Sequence, residues 1–431
     1  MKQLQCLLFL AGLTLAVFTQ AQSLIPVSLG YSKTSVNTAI FRADAIVTFQ
    51  NTQFIAFYDE EEFLVLGKRN LNSTEWELKK SQHKGNCSDA HNIISLMVDG
   101  DGYLHVAFDH HGHPLKYCRS TTPLGLEVGE LLSMTHTNEN NVTYPEFYKL
   151  SNGDLLFVYR DGASGRGNLV MNRYNLKDQT WSRIHDVLIN GENQRNAYWQ
   201  IWVDSNDYIH ISWVWRESWM VETNHDLCYA FSQDGGKTWL NSKKEVYTLP
   251  INTENAEYIV SIPENSELIN QTSMVADQWS NPYIATYWRD QDSDRPQYRI
   301  VWFDGKKWNI NQVYERKTSF TLSGGGTKRI PISRPKLVVN NNLDSIECYF
   351  MFRDEERLNR VSIAYTPNLI GNHWNIKDYT TFTVDAWEPN FDTNLWKEQK
   401  KLHLFIQRNG QGDGERKEKI EPQPIYVLEI D

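Results

Sequence analysis

Cysteine is scarce: the 431 residues hold five, and Cys6 sits near the N-terminus, leaving Cys87, Cys118, Cys228 and Cys348. Their wide spacing excludes a disulfide framework. Free, buried thiols are expected, with Cys87–Cys118 the pair that a hairpin could bring together. Long apolar runs are missing beyond Leu7–Phe18, which follows Lys2 and is too short and too terminal for a membrane span. It reads as the core of a secretory leader over residues 1–21, ending near Ala21-Gln22, so export to the periplasm or the extracellular space is expected. Basic charge is also deficient. Lys and Arg number 43 against 53 Asp and Glu, a net −10 that becomes −11 once Lys2 leaves with the leader. Nothing resembles a basic stripe, which excludes nucleic acid as a partner. Helical periodicity is lacking throughout the remainder, 22–431, which is expected to form one domain.

Strands and turns are what the chain has instead. Aromatic residues make up 13 %, with fifteen Trp, a composition suited to β-sheets and sugar-binding surfaces. One pattern of strand, polar turn and strand recurs: Ala45–Thr48 with Gln53–Tyr58, Ile93–Val98 with Tyr103–Phe108, and Phe147–Leu150 with Leu155–Tyr159. Trp199–Val203 with Tyr208–Trp215, Thr272–Ala276 with Tyr283–Trp288, and Lys336–Val339 with Ser345–Phe352 continue it. Leu395–Trp396 and Leu402–Ile406 suggest a last pair. Ser232–Trp239 matches the Asp-box S-x-D-x-G-x-T-W in full, and worn versions end at Trp76, Trp181, Trp308 and Trp374. The Trp spacings are 105, 58, 69 and 66 residues, the first covering two units. Such a period in an all-β chain predicts a seven-bladed β-propeller, closed by strands from both chain ends.

The repeat places chemistry on one face. Folding the hairpin at Asp99–Gly102 sets Ala90–His91 opposite His110–His111, so two imidazoles meet at one end. The second strands of four blades end in Tyr159-Arg160-Asp161, Trp215-Arg216-Glu217, Trp288-Arg289-Asp290 and Phe352-Arg353-Asp354. Either each Arg pairs with the acid beside it, or the group holds an anion through its guanidinium forks. Reflecting Arg160 through its turn lands beside Tyr144, which is either a packed Tyr-Pro turn or a phenol next to a cation, where phenolate is favoured. His91, His111, Tyr144, Arg160 and Arg216 are the catalytic candidates; Asn92, His110, Arg289, Arg334 and Arg353 are the substrate-binding ones. This set suits β-elimination from a uronate: Arg neutralises the carboxylate and stabilises enolate-like charge, while Tyr or His moves protons at C5 and O4. Asp109, His110, His111, His113 and Cys118 match no strong zinc spacing. No metal or cofactor is called for, although a structural calcium or other ion in the central channel is compatible with a propeller.

The words Ser35-Val36-Asn37, Phe57-Tyr58-Asp59, Gly85-Asn86, Asp89-Ala90-His91-Asn92, Asp109-His110-His111-Gly112 and Tyr144-Pro145-Glu146-Phe147 resemble BNR-repeat proteins of glycoside hydrolase family 145. That family overlaps with polysaccharide lyase family 42 and more distantly resembles propeller ulvan lyases. The resemblance covers nearly the whole mature chain. It implies action at L-rhamnose α-1,4-linked to D-glucuronate, as at the caps of arabinogalactan side chains such as those of gum arabic. It also implies an acid/base Tyr144, charge-neutralising Arg160 and Arg216, and His91 and His111 in the same pocket. The hydrolytic members imply a His on the opposite face, where this chain has Gln50, which cannot act as an acid or base. A lyase is therefore expected, acting on an acidic oligosaccharide or polysaccharide without an obligate protein partner. A rhamnosidase hydrolysing the same linkage is the alternative. A sialidase (Phe41-Arg42 resembles the start of its N-terminal motif, but Ala43-Asp44 departs from it) and a non-catalytic sugar-binding propeller are further ones.

Overall fold

A computed structural model describes residues 22–430 except 40, 42, 271, 272 and 343. The expected leader, Arg42 of the sialidase-like word and Thr272 of the fifth inner strand lie outside the described residues. The chain forms seven antiparallel sheets arranged as a seven-bladed β-propeller. The inner strands are Ile46–Phe49, Ile94–Val98, Val142–Lys149, Asn196–Val203, Ser273–Ala276, Lys336–Asn342 and Leu402–Gln407. Each is followed by its hairpin partner, and inner positions are buried almost without exception. The last blade closes the ring. Its inner strand pairs with Gln423–Ile430, which in turn pairs with the N-terminal Gln22–Gly30.

The hairpin turns hold by side-chain acceptors on backbone donors, which lets a tight turn keep its amides satisfied. Asp99 Oδ1 accepts from the amides of Asp101 (3.0 Å) and Tyr103 (2.9 Å). Asp204 does the same for Asn206 and Tyr208. The second oxygen of each Asp meets a buried imidazole, His105 or His210, at 3.1 Å, and a Tyr hydroxyl holds the far ring nitrogen. These two histidines are therefore structural. In the Asp-box, Asp234 accepts from the amides of Lys237 and Thr238 at 3.0 and 2.9 Å, and the buried Trp239 donates to Gly236 O.

One expected strand is a helix. Leu395–Trp396 lie in Thr393–Gln399, because Asp392 caps the first turn by accepting from Leu395 N (3.0 Å) and Lys400 ends it in the left-handed region. The same carboxylate accepts from Thr48 N and Oγ1 and from Gln53, tying the last blade to the first. The four described cysteines are buried and free, so Cys87 and Cys118 do not pair.

The acids after three of the four repeated arginines pair with other cations. Asp354 pairs with Arg316 at 2.6 Å, both side chains fully buried, while Glu217 holds Arg195 and His225. Asp290 pairs with Arg299. Losing one partner of a buried pair strands the other charge, so Asp354→Ala is expected to cost about 3–5 kcal/mol. Thermal and denaturant unfolding would register it; an unchanged midpoint would mean Arg316 finds another acceptor.

Candidate active site

A strand passed from the second blade to the third helps to build one pocket. After Leu104–Phe108, the segment His111–His113 leaves its own blade and pairs with the inner strand of the third, setting His111 opposite Thr143. The expected hairpin register holds, with Ile94 opposite Phe108. It brings the rings of His91 and His111 into a stack, centroids 4.0 Å apart. The reflection of Arg160 is one residue off: Arg160 pairs with Thr143, and the ladder shifts before Glu146. Tyr144 occupies that bulge at φ +55°, a conformation that side chains other than glycine rarely adopt, and it turns its phenol toward the pocket.

A cavity of about 140 Å³ is lined by His91, His111, Tyr144, Tyr198, Arg216 and Arg334. The guanidinium of Arg160 lies 5.0 Å from the Tyr144 ring centre, and that of Arg216 lies 5.4 Å from the Tyr198 ring centre. The two tyrosine rings are 5.9 Å apart. Arg160 is 2 % exposed, yet its Nε and Nη1 find no hydrogen-bond partner. A buried, half-satisfied guanidinium is costly unless an anion completes it. Gly167 permits this placement: a Cβ there would stand 2.7 Å from Cγ and Cδ of Arg160. Arg216 is oriented by the carbonyls of Ser218 (3.1 Å) and Trp219. Trp219 is 61 % exposed at the cavity's edge, an amphipathic platform of the kind that stacks on sugars, and Gly325 packs flat against its ring.

Charge separates the tyrosines. Burial opposes ionisation of Tyr198, but Arg216 and Arg160 outweigh it and pull its pKa down to about 7. Burial, reinforced by negative charge on Tyr198, holds Tyr144 well above the usual phenol range. The histidines divide likewise. Asp89 receives His91 Nδ1 at 2.7 Å and His111 Nδ1 at 2.6 Å, and Glu415 lies 3.2 Å from His91. Burial disfavours the charged form, yet Asp89 and Glu415 raise His91 to about 9. Burial and the cationic His91 lower His111, and the two imidazoles keep Asp89 ionised against its burial. The cavity wall thus carries an imidazolium, a neutral imidazole, Arg216, Arg334 and two phenols of opposite tendency, while Arg160 is buried against the Tyr144 ring and is not itself part of the wall. Pairs of groups pushed apart in this way supply an acid and a base at one pH.

Ligating atoms of Asp89, His91 and His111 lie within 4.8 Å of one another, the one set among the described residues close enough to share an ion. Both Nδ1 atoms already meet the Asp89 carboxylate, so the cluster is satisfied by its own hydrogen bonds. Elsewhere in the interior, the buried carboxyls of Asp44 and Glu146 interact with Lys336, and Asp44 also with Lys397.

The other sequence candidates are placed differently. Arg334 lines the cavity, but Glu388 grips it in a bidentate pair at 2.8 and 2.6 Å. Arg353 is buried beside a neighbouring cleft, held by the carbonyls of Ile330, Pro331 and Trp387. Arg289 does not line the cavity; it pairs with Glu267 at 2.6 Å. His110 is fully buried, accepts from Lys116 N at 2.7 Å and is pushed down to about 3 by burial. Asn92 is buried, bonded to Asn86 O. Neither residue lines the cavity; both lie in connecting segments outside the strands, where they are buried. Gln50 is exposed in a turn at φ +55°, at the far end of the strand Thr52–Tyr58 from the pocket. Sequence reasoning missed Tyr198, Trp219 and Glu415. Tyr198 carried one usable signal: it stands two residues beyond Asn196, the partner of Arg216, and so on the same strand face.

Fold and pocket together define a seven-bladed propeller with a cluster of arginine, tyrosine and histidine side chains around one cavity. The chain belongs to the BNR repeat-containing family, whose profile matches residues 52–316. It is 23 % identical over 348 residues to the long isoform of an ulvan lyase from Pseudoalteromonas sp. (strain PLSV), covering 64 % of this chain and 35 % of that one. An ulvan lyase from Alteromonas sp. (strain LOR) is 23 % identical over 333 residues, covering 64 % and 66 %. The chain thus spans about a third of the length of the long isoforms it matches. Among solved structures, the polysaccharide lyase Uly1 superposes with a TM-score of 0.71 at 15 % identity, covering 96 % of this chain and 99 % of that one. An ulvan lyase bound to -[GlcA(1-4)Rha3S]- gives 0.67 at 15 % identity, covering 93 % and 95 %. The protein is therefore a BNR-repeat propeller related to ulvan lyases. No described helix is long and apolar enough to cross a membrane.

Proposed function

We propose that the chain is an exported polysaccharide lyase that breaks L-rhamnose-α-1,4-D-glucuronate linkages by β-elimination at the glucuronate. The observation that carries this reading is the buried guanidinium of Arg160, whose Nε and Nη1 have no hydrogen-bond partner, beside two tyrosines of opposite acidity. The C5 proton of a glucuronate is too weakly acidic to leave until its carboxylate is neutralised. Arg160, Arg216 and the cationic His91 supply that charge. Tyr198, as phenolate, takes the C5 proton; the electron pair forms C4=C5 as the C4–O4 bond breaks, and Tyr144 protonates the departing O4. Proton and leaving group lie on the same side of a glucuronate ring, so two adjacent phenols can serve both steps. No water is consumed.

Such linkages cap arabinogalactan side chains, as in gum arabic, in keeping with the resemblance to families 145 and 42. The related ulvan lyase is bound to an acidic ligand built from the same two kinds of sugar, -[GlcA(1-4)Rha3S]-. Hydrolysis of the same linkage is the second reading, and it is disfavoured because Gln50 stands where the hydrolytic members are expected to carry a His. Incubation with a rhamnosyl-glucuronate oligosaccharide separates these activities. The lyase yields rhamnose together with ultraviolet absorbance from the new double bond, and Gln50→Ala leaves that signal within about twofold, as surface changes usually do. Free rhamnose without absorbance would establish the hydrolase, and binding without any product would establish a sugar-binding propeller.

A further inference from the structure

The catalytic cavity does not end at its own walls. Thr327, Lys328, Ile330 and Arg334 also line a second cleft of about 410 Å³, nearly three times as large, toward the sixth and seventh blades. Six cationic and four acidic side chains line it, in a protein whose net charge is −10. Three of the cations are already engaged, Arg334 by Glu388, Arg408 by Asp385 and Lys328 by Asp413, and the lining acids Glu355 and Glu418 form no ion pair among the described residues. Arg353 lies buried in its wall, held by carbonyl oxygens and the Asn359 side chain, with no carboxylate among its hydrogen-bond partners. Arg329 and Lys419 are exposed at the cleft and form no ion pair with any described residue.

We infer that this cleft is a subsite for a second anionic sugar, adjoining the glucuronate that the catalytic cavity holds. The inference rests on the lyase reading above and narrows its substrate: the enzyme acts within an acidic repeat, where the sugars flanking the scissile linkage carry carboxylate or sulfate. A glycan with one terminal uronate would leave the cationic cleft facing neutral sugar. Arg329 and Lys419 set this preference because their guanidinium and ammonium groups can form charge-assisted hydrogen bonds with a bound anion.

The test uses the Tyr198→Phe chain, which holds substrate without consuming it, and calorimetry with three probes. These are a rhamnosyl-glucuronate disaccharide, the tetrasaccharide with two glucuronates, and that tetrasaccharide with its second carboxyl reduced to the alcohol. The acidic tetrasaccharide is expected to bind roughly tenfold more tightly than either other probe, as one or two charge-assisted contacts provide. Adding Arg329→Ala and Lys419→Ala should bring the three affinities together, and raised salt should narrow the gap in the parent. Equal affinity for the acidic and carboxyl-reduced tetrasaccharides would overturn the inference, as would a gap that survives both substitutions. Product absorbance from the unsubstituted chain is read separately. Its absence with the affinity gap intact would remove the lyase reading and leave the anionic subsite standing.

Discussion

Tyr198→Phe is expected to lower formation of the unsaturated product by roughly 10²–10⁴-fold, the usual range for a lost general base. Oligosaccharide affinity should change little, because the ring and its packing against Tyr144 remain. Tyr144→Phe should cost a comparable factor for a different reason. That side chain stays protonated through neutrality, so its loss removes the donor to O4 and not the acceptor at C5. A substrate whose O4 leaving group needs no proton, such as an aryl ether, distinguishes the two. It should rescue Tyr144→Phe and leave Tyr198→Phe inactive. If both variants kept full turnover, the chemistry would lie elsewhere, and the opposite face with Gln50 would have to be reconsidered.

The second large effect belongs to Arg160. In the unsubstituted chain the rate should rise with pH through about 7, as Tyr198 ionises, and fall through about 9, as His91 loses its proton. The signs follow from the roles: the base must be deprotonated and the cation must keep its charge. Arg160→Ala removes a carboxylate ligand and one of the two cations that favour the Tyr198 phenolate. The maximal rate should therefore drop roughly 10²–10³-fold, the scale of a lost transition-state electrostatic contact. The ascending limb should also move to higher pH, closing the window from below. A rate loss with an unmoved ascending limb would mean that Tyr198 is not the ionising group. His91 is raised by Asp89 and Glu415 and not by Arg160, so the descending limb should stay in place, which provides an internal control.

Local rules carried a long way in this chain. Polar turns between apolar strands, the Trp period and the full Asp-box depend on nearest neighbours and on the two-residue alternation of a strand, so hairpins, blade number and the His91–His111 register were legible from residues alone. Closure by the N-terminal strand could also be read, since Ser23–Gly30 had no local partner. The arginine positions were visible for the same reason, because a repeat puts equivalent residues on equivalent ends.

What each arginine does was decided only by the tertiary structure. Four equivalent positions hold an Arg160 whose Nε and Nη1 have no hydrogen-bond partner, a carbonyl-oriented Arg216, a salt-bridged Arg289 and a walled-in Arg353, because their partners come from distant loops that no repeat governs. The bulge at Tyr144, the strand that carries His111 into the next blade, and the helix at Thr393–Gln399 are departures from the repeat, and periodicity cannot announce its own interruptions. Tyr198 shows the limit most sharply. As a strand residue it is one aromatic among many. Its acidity arises from two guanidiniums on separate blades within a buried pocket, where a charge is weakly screened and a neighbour's field outweighs desolvation.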